Sequence, residues 1–340
     1  MKGPHTITPF FDILLYMPLT QYRFLFLYTM VAPMGSGPDG GLYRTLCEWT
    51  RLLSKHGHSL SIIAAQDSTF PKHSTGISIK GILQQSCQTT PKTASPSSAL
   101  INACEWIKKH HQNYDIIINL SFDSLPHTEL RALGTPVRHY ISMCNISPEF
   151  HQTLIKHQSP QNPYAFLTPS QLNTFSGLSE DSAYFIKQPF NPHSLHFSAH
   201  PQSNDLVWIS RISPEKGLDL ALSIALKSNR KLHICGVIQD RDYFNSCTKN
   251  ISQSDYEYHG HCTLSKLNDI AGNCQALIAT HQWEEAFGMI FIETLAMGTP
   301  IIAHNIGSPK DIIQHNKTGF LIPKKQYKCL SLCYLSDFSY

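Results

Sequence analysis

Two glutamates and two cations in the second half of the chain have types and spacings that suit an anionic, polyhydroxylated ligand. Glu285 and Glu293 lie eight positions apart around the apolar stretch AFGMIFI. Arg211 and Lys216 flank the turn RISPEK, which follows a predicted strand. A carboxylate accepts hydrogen bonds from vicinal hydroxyls, and cations neutralise a diphosphate. These side chains therefore predict a nucleotide-sugar site, with one glutamate for the sugar and the other for the ribose.

A helix over residues 288–297 must position the two glutamates, because apolar residues recur there at helical spacing before Gly298 and Pro300. Its start predicts an anion site at the backbone amides of Phe287, Gly288 and Met289. Gly288 lets the backbone come close to a ligand. The alternative is an ordinary amphipathic helix with two solvated glutamates, and the helix taken alone favours that alternative.

Strands and helices alternate around these residues. Strands are predicted over 205–210, 231–237 and 276–280, and Gly236 in the second of them lets a nucleotide approach closely. Arg211 and Lys216 follow the first strand, so both cations are expected at its carboxyl end. The alternative is a solvated turn in which Glu215 pairs with Lys216.

The first half of the chain predicts a strand over 23–31, a glycine-rich loop, a helix and a strand over 59–65, which together form a βαβ unit. Three loop glycines spell GxGxxG, and an acidic residue follows the next strand; these residues are Gly35, Gly37, Gly40 and Asp67. This pattern favours, as an alternative function, an oxidoreductase that binds NAD or FAD.

A buried strand is also predicted over 114–119, and polar side chains follow its carboxyl end. Asn119, Ser121 and Asp123 are therefore candidates for the acceptor side of a site. Asp123 equally suits the N-cap of a helix. His139 lies inside another predicted strand, over 136–143, where a packed core histidine is the favoured interpretation.

The length of 340 residues predicts two domains. We expect an N-terminal extension over 1–22, an acceptor-side domain over 23–186, a linker over 187–204 and a nucleotide-sugar domain over 205–340. The linker is rich in Pro, His, Ser and Asn and has no periodicity. The predicted fold class is α/β, with two doubly wound, Rossmann-like sheets facing across a cleft.

Composition argues against several classes of partner. The net charge is only +3 and the basic residues are dispersed, which disfavours nucleic acid. The ten cysteines include no CxxC pair, and no signal peptide is predicted, so we expect a cytoplasmic protein. Polar residues interrupt the apolar N-terminus, which excludes a spanning helix there, whereas contact of residues 1–22 with a membrane surface stays open.

A metal site is not predicted. His259, His261 and Cys262 lie close together in the sequence, but no second cluster has the spacing of a ligand set.

The order of motifs from Trp283 to Ile322 resembles the donor-binding half of family 4 retaining glycosyltransferases, which have the GT-B fold. The family pattern reads glutamate, small residue, Phe, Gly, then a second glutamate eight positions after the first, and Glu285 and Glu293 match it. The stretch RISPEKG matches the family's donor loop. The resemblance implies that Arg211 and Lys216 stabilise the leaving diphosphate without a metal or other cofactor.

The resemblance assigns further roles as well. It implies that Glu285 holds sugar hydroxyls and that Glu293 holds the ribose. A glycine loop that includes Gly40 and Gly41 would close over the donor diphosphate and the acceptor. Enzymes of this family are described as retaining the configuration of the sugar carbon. The acceptor hydroxyl attacks from the face that the leaving phosphate occupies, and that phosphate takes the acceptor proton.

Several stretches look particularly similar to UDP-glucose:tetrahydrobiopterin glucosyltransferases. They are MGSG with the following GG, TPVRHYISM, RISPEKGL, NCQAL and WEEAFG. The similarity implies transfer of glucose from UDP-glucose to a small acceptor hydroxyl, such as that of a pterin. A lipid or polysaccharide acceptor, the oxidoreductase and an inactive sugar-nucleotide-binding remnant are the alternatives.

The chain also departs from the family pattern. Ser308 follows Gly307 where the family has a second glycine, and no histidine is placed near the reacting sugar carbon. The sequence ends at Tyr340 without the helices that normally cross back onto the first domain. The missing helices predict either a truncated C-terminus or a cleft that is closed by other means. This end of the sequence and the missing histidine favour the remnant to some degree.

Overall fold

The computed structural model describes residues 20–36, 41–83 and 98–323. The chain divides into two compact units, Met1–Pro189 and Phe190–Tyr340. The division falls inside the predicted linker of 187–204. Each unit is built on its own parallel sheet, so the predicted α/β class with two Rossmann-like sheets is confirmed.

The first unit is organised around a parallel sheet with the order β3-β2-β1-β4-β5. Its strands are β1 (Arg23–Leu27), β2 (Ser59–Ala65), β3 (Thr75–Ile79), β4 (Ile116–Asn119) and β5 (Val137–His139). Its helices are α1 (Gly41–Lys55), α2 (Ser98–His110), α3 (Ser124–Glu129), α4 (Pro148–His157) and α5 (Pro169–Leu172). Two further strands, β6 (Tyr164–Phe166) and β7 (Ala183–Phe185), pair in parallel with each other.

The second unit carries a parallel sheet with the order β10-β9-β8-β11-β12-β13. Its strands are β8 (Leu206–Ile209), β9 (Leu232–Cys235), β10 (Tyr256–Gly260), β11 (Ala276–Ala279), β12 (Ile301–His304) and β13 (Gly319–Ile322). Its helices are α6 (Leu218–Lys227), α7 (Arg241–Thr248), α8 (Leu264–Ala271), α9 (Met289–Ala296) and α10 (Pro309–Ile312). This is the strand order of a doubly wound sheet.

Successive residues of β8 enter different cores, because side chains of a strand alternate between the two faces of its sheet. Leu206 and Trp208 pack in the core under α6, whereas Val207 packs in the core that includes Phe291 of α9. Both faces are therefore covered, as a parallel sheet requires. The strand order reverses between β8 and β11, and the carboxyl ends of these two strands form the topological switch point.

Most of the predicted linker is fixed to the second unit. His196 N donates to Asn268 Oδ1 at 2.7 Å, and Ser198 N donates to the Met297 carbonyl at 2.9 Å. Its lack of periodicity therefore reflects an irregular segment held by backbone hydrogen bonds. None of the helices in the described residues combines the length and the apolar character needed to cross a membrane.

Candidate functional site

Lys216 and Glu285 form an ion pair at the switch point of the second sheet. Lys216 Nζ lies 3.3 Å from Glu285 Oε2, and the two side chains are 12% and 21% exposed. Trp283 joins both, because its Nε1 donates to Glu285 Oε2 at 3.3 Å and its ring centroid lies 4.2 Å from Lys216 Nζ. Lys216 comes from the segment after β8 and Glu285 from the segment after β11, so the fold brings together residues that are far apart in sequence.

A short 3₁₀ helix, Pro214–Lys216, and Gly217 give Lys216 its position. Gly217 has φ 72°, and a Cβ there would lie 2.4 Å from the Thr280 carbonyl oxygen. The Thr280 hydroxyl lies 2.7 Å from the Gly217 carbonyl oxygen and accepts from Trp208 Nε1 at 3.0 Å. Gln282 N donates to the Glu215 carbonyl at 2.7 Å. These contacts fasten the Lys216 loop to the segment after β11.

Arg211 lies on the same loop but has different partners. Its guanidinium is 3.7 Å from Glu215 Oε1 and donates to Gln239 Oε1. Ser213 Oγ donates to the same Glu215 oxygen at 2.6 Å. Glu215 therefore pairs with Arg211 and Lys216 pairs with Glu285, so the alternative expectation of a Glu215–Lys216 pair in a solvated turn is wrong.

The turn at Gly307 and Ser308 fixes the Glu285 segment. Gly307 has φ 75°, and a Cβ there would lie 2.5 Å from both N and O of Glu285. Ser308 N donates to the Glu285 carbonyl at 2.8 Å, and Ser308 Oγ donates to the Phe287 carbonyl at 2.7 Å. The serine has φ −67°, an ordinary conformation, so the departure from a glycine pair costs no backbone strain and adds a hydrogen bond.

The charge at Glu285 is stabilised by its neighbours. Burial by itself raises the pKa of Glu285, but the charge of Lys216 and the hydrogen bonds from Lys216 and Trp283 lower this pKa to below its usual value. Burial also lowers the pKa of nearby His281, which favours the neutral imidazole. Its Nε2 lies 3.0 Å from the Ile306 carbonyl and must carry the hydrogen, because a carbonyl only accepts.

Helix α9 begins one residue later and ends one residue earlier than the predicted 288–297. Gly288 precedes it with φ 78°, and a Cβ there would meet the Phe291 ring at 2.5 Å. The amides of Phe287, Gly288 and Met289 lie at this helix start, where backbone N–H groups lack intrahelical acceptors. Glu293 lies in the second turn and is only 2% exposed, so it is far less accessible than Glu285.

Gly236 follows β9 and has a packing role that its sequence context does not reveal. It has φ 146°, and a Cβ there would lie 1.8 Å from the Ser210 carbonyl oxygen. The close approach is therefore made by the backbone that leads into Arg211. Contact of Gly236 with a nucleotide stays a prediction.

The three acceptor-side candidates of the first unit are buried and engaged in local hydrogen bonds. Asn119 Oδ1 accepts from Ser121 N at 3.1 Å, and Asn119 Nδ2 lies 3.1 Å from His139 Nδ1. Asp123 is the N-cap of α3 and accepts from Leu125 N at 3.1 Å. Asp123 thus has the N-cap role that was its alternative, and contact of these residues with an acceptor stays a prediction.

His139 is a core residue, as its sequence context favours. Its ring stacks on His127, with centroids 3.9 Å apart, and burial lowers the pKa of His139 to about 3.

Gly41 is the first residue of α1. Gly37 and Gly40 lie outside the described residues, whereas Gly35 has φ 79° and Asp67, after β2, is exposed.

Several residues that shape the site carried no sequence prediction. Thr280 forms a hydrogen bond with the Lys216 loop, and Trp283 contacts both members of the ion pair. Gln239 accepts a hydrogen bond from Arg211. Trp283 lies in the quoted stretch WEEAFG, so its motif indicated the place but not its role. Thr280 and Gln239 contact the Lys216 loop because of the order of the strands in the sheet. No local sequence pattern specifies that order.

Residues 196–331 match the family model of glycosyl transferases group 1. This part of the second unit is therefore similar to glycosyl transferases group 1. The matched part contains Lys216, Glu285 and Glu293, so the match supports the predicted glycosyltransferase class.

Two sequence relatives are mannosyltransferases by name. A GDP-mannose-dependent alpha-mannosyltransferase of Mycobacterium tuberculosis is 26% identical over 121 residues, which are 36% of this chain and 30% of that protein. The alpha-1,3/1,6-mannosyltransferase ALG2 of Mus musculus is 28% identical in an alignment 177 residues long that covers 44% of this chain and 42% of that protein. The chain thus spans less than half the length of either relative.

Solved structures resemble the chain over most of its length. HepE of Anabaena, in complex with UDP and glucose, gives a TM-score of 0.72 at 16% identity. The matched region covers 94% of this chain and 90% of the HepE chain. Sucrose-phosphate synthase from Thermosynechococcus elongatus gives 0.75 at 15% identity, with 92% and 88% covered. At these identities the likeness concerns the fold, which is GT-B.

Proposed function

We propose that this protein is a retaining glycosyltransferase that binds a nucleoside diphosphate sugar at the switch point of its second sheet. The observation that carries the proposal is the Lys216–Glu285 ion pair, which lies where the carboxyl ends of β8 and β11 meet. Ligands of doubly wound sheets bind at this position. The pair offers a cation for a diphosphate and a carboxylate for sugar hydroxyls.

In the proposed reaction, Lys216 and Arg211 neutralise the diphosphate, together with the amides of Phe287, Gly288 and Met289. Glu285 accepts hydrogen bonds from the sugar and Glu293 from the ribose. The bond from the sugar carbon to the phosphate oxygen breaks as a bond to the acceptor oxygen forms on the same face, and the acceptor proton moves to the departing phosphate. Charge stabilisation that strengthens as the phosphate leaves lowers the barrier.

UDP-glucose is the donor that we propose, because several sequence stretches resemble those of UDP-glucose-dependent enzymes. HepE, which has a similar fold, was crystallised with UDP and glucose. Several sequence relatives are named as GDP-mannose-dependent, so GDP-mannose is the competing donor. Both donors present a diphosphate to the same cations, and discrimination must come from the base and the sugar.

A small hydroxyl acceptor, such as a pterin, is proposed on the same sequence stretches alone. Asn119, Ser121 and Asp123 are the proposed acceptor-side residues, although the side chains of Asn119 and Asp123 already accept local hydrogen bonds. We further propose that catalysis needs no divalent metal, because two cations are available to the diphosphate.

Calorimetric titration of the full chain with UDP, UDP-glucose, GDP-mannose and NADH, without divalent metal, tests the proposal. Binding of UDP and UDP-glucose supports it and justifies a screen of pterin acceptors for transfer. Binding of GDP-mannose in preference to UDP-glucose supports the glycosyltransferase but replaces the donor. Binding of NADH alone would replace the glycosyltransferase with an oxidoreductase, and binding without transfer or donor hydrolysis would indicate a remnant.

A further inference from the structure

Two histidines and a glutamate lie together on β9 and β10, away from the donor loops. His233 Nδ1 lies 2.9 Å from His259 Nε2, and Glu257 Oε2 lies 3.9 Å from His233 Nδ1. Glu257 Oε1 lies 3.8 Å from His259 Nδ1. One ligand atom from each residue can be chosen so that all three lie within 4.8 Å of one another. We call these residues the His233 cluster.

The strand pairing explains why these side chains share one face. Glu257 is the register partner of His233, so both point to the same side of the sheet. His259 lies two residues after Glu257, where the register of β10 shifts between Tyr258 and Gly260. Alternation keeps Glu257 and His259 on one face, and the irregularity brings the second ring beside the first.

A carboxylate already orients one of the rings. His233 Nε2 lies 3.2 Å from Asp205 Oδ2, while its other nitrogen faces His259. A histidine that binds a metal usually donates its remaining N–H to a carboxylate or a carbonyl, which fixes the tautomer and raises the basicity of the coordinating nitrogen. Asp205 therefore presents His233 Nδ1 as an electron-pair donor.

The spacing is close to that of a metal site. Two nitrogens at about 2.0–2.1 Å from a tetrahedral ion are about 3.3 Å apart, so the two rings would separate by only about 0.4 Å. Two imidazoles and one carboxylate leave a fourth position for water. Imidazole and carboxylate ligands in this combination suit a first-row transition metal such as zinc.

We propose that His233, His259 and Glu257 bind a zinc ion at the edge of the second sheet, with Asp205 orienting His233. The site is separate from the donor site. Asp205 precedes β8 and His233 is the second residue of β9, whereas Lys216 and Glu285 follow the carboxyl ends of their strands. A bound ion would join the edge strand β10 to its neighbour and does not depend on the proposed glycosyl transfer.

Lys231 competes with the ion for Glu257. Its Nζ lies 2.7 Å from Glu257 Oε2, the oxygen that faces His233. Removal of this cation frees the carboxylate and should strengthen zinc binding, whereas general damage to the fold would weaken it. The Lys231→Met variant therefore separates a built site from a merely structural cluster.

Zinc affinity of the full chain, measured by competition with a chromophoric chelator, tests the proposal. The wild type is expected to bind one equivalent of zinc. His233→Ala and His259→Ala should weaken zinc binding at least about tenfold, whereas His261→Ala, at an exposed position, should leave it unchanged. Asp205→Asn should weaken binding about 10–100-fold, and Lys231→Met should tighten it. Circular dichroism without zinc checks that each variant is folded.

Three results would overturn the zinc site. The first is the absence of stoichiometric binding by the wild type. The second is equal binding by the wild type and either histidine variant, which would place the ion on other histidines of the chain. The third is weaker binding by Lys231→Met. Cobalt as a substitute should give visible absorption bands that the histidine variants lack.

Discussion

Glu285 and Glu293 match one sequence pattern, but the structure gives them different surroundings. Glu285 is partly exposed, forms an ion pair with Lys216 and accepts a hydrogen bond from Trp283. Glu293 lies inside α9 and is nearly inaccessible. A side chain that is already held by a cation is preorganised for a ligand that offers hydroxyls and phosphates. Of the two glutamates, Glu285 therefore has the geometry that a direct sugar contact needs.

Glu285→Gln should separate diphosphate binding from sugar binding. The amide keeps the shape but removes the anion that holds Lys216, so UDP affinity should be unchanged or higher. Loss of hydrogen bonds to a charged group, worth about 1.5–3 kcal/mol, should weaken UDP-glucose binding about tenfold to a hundredfold. Glu284→Gln, at the exposed neighbouring position, is the matched control for calorimetry. Equal weakening of UDP and UDP-glucose would contradict the assigned role.

The stacked His127–His139 pair makes the first unit sensitive to acid. Burial lowers the pKa of both histidines, and that of His139 to about 3. Their folded pKa values lie below the unfolded value of about 6.5, so protonation favours the unfolded chain. The stability that the neutral rings provide is present above about pH 6.5 and is lost as the pH falls toward 3.

His127→Phe should reduce this acid sensitivity. Neither ring nitrogen of His127 has a hydrogen-bond partner among the described residues, so an apolar ring loses nothing there. We expect a melting temperature at pH 7 that is equal or higher, and a smaller drop between pH 7 and pH 5 than in the wild type. Scanning calorimetry measures both, with exposed His193→Phe as the control. An unchanged drop would show that other groups dominate.

At the scale of elements, the site depends on the two turns that hold its loops. Gly217 brings the Lys216 loop against Thr280, and Gly307 brings the turn that follows β12 against Glu285. In both places a backbone atom occupies the volume that a Cβ would need. The two loops are therefore fixed by backbone packing and hydrogen bonds, and the ion pair joins segments that are already positioned.

Gly307→Ala should destabilise the second unit and weaken donor binding together. The alanine would strain a positive φ, at about 1–2 kcal/mol, and would also contact the Glu285 backbone. Gly260→Ala is the control, because its φ is 70° but nothing lies within 4 Å of the added Cβ. Melting temperature and UDP affinity should fall more for Gly307→Ala; equal effects would mean that the contact with Glu285 is unimportant.

Much at the scale of elements was predictable from local pattern. The strand Ser59–Ala65 has the predicted bounds, and α9 differs from its prediction by one residue at each end. Hydrophobic runs and terminal glycines carry that information. The Lys216–Glu285 pair was not predicted, because it depends on which strands are neighbours and the two residues lie 69 positions apart. The packing role of Gly236 and the His233 cluster depend on strand register for the same reason.

At the scale of the whole molecule, the two units use the same strand order around their central strands. The first reads β3-β2-β1-β4-β5, and the second reads β10-β9-β8-β11-β12 before its last strand. The same order serves different local purposes. At the end of β4, the Asn119 side chain contacts the Ser121 backbone and the His139 ring, whereas at the ends of β8 and β11 opposite charges meet. Function must therefore be assigned from the side chains at each site and not from the fold.

UDP affinity of Lys216→Met, measured by calorimetry without divalent metal, tests whether Lys216 binds the donor diphosphate. Lys227→Met, the same substitution at an exposed lysine of α6, is the control. Loss of a charge-assisted contact to the diphosphate should weaken UDP binding at least tenfold and reduce sugar transfer about 10²–10³-fold, while the control matches the wild type. Undiminished UDP binding by Lys216→Met would contradict a donor site at the switch point of the second sheet.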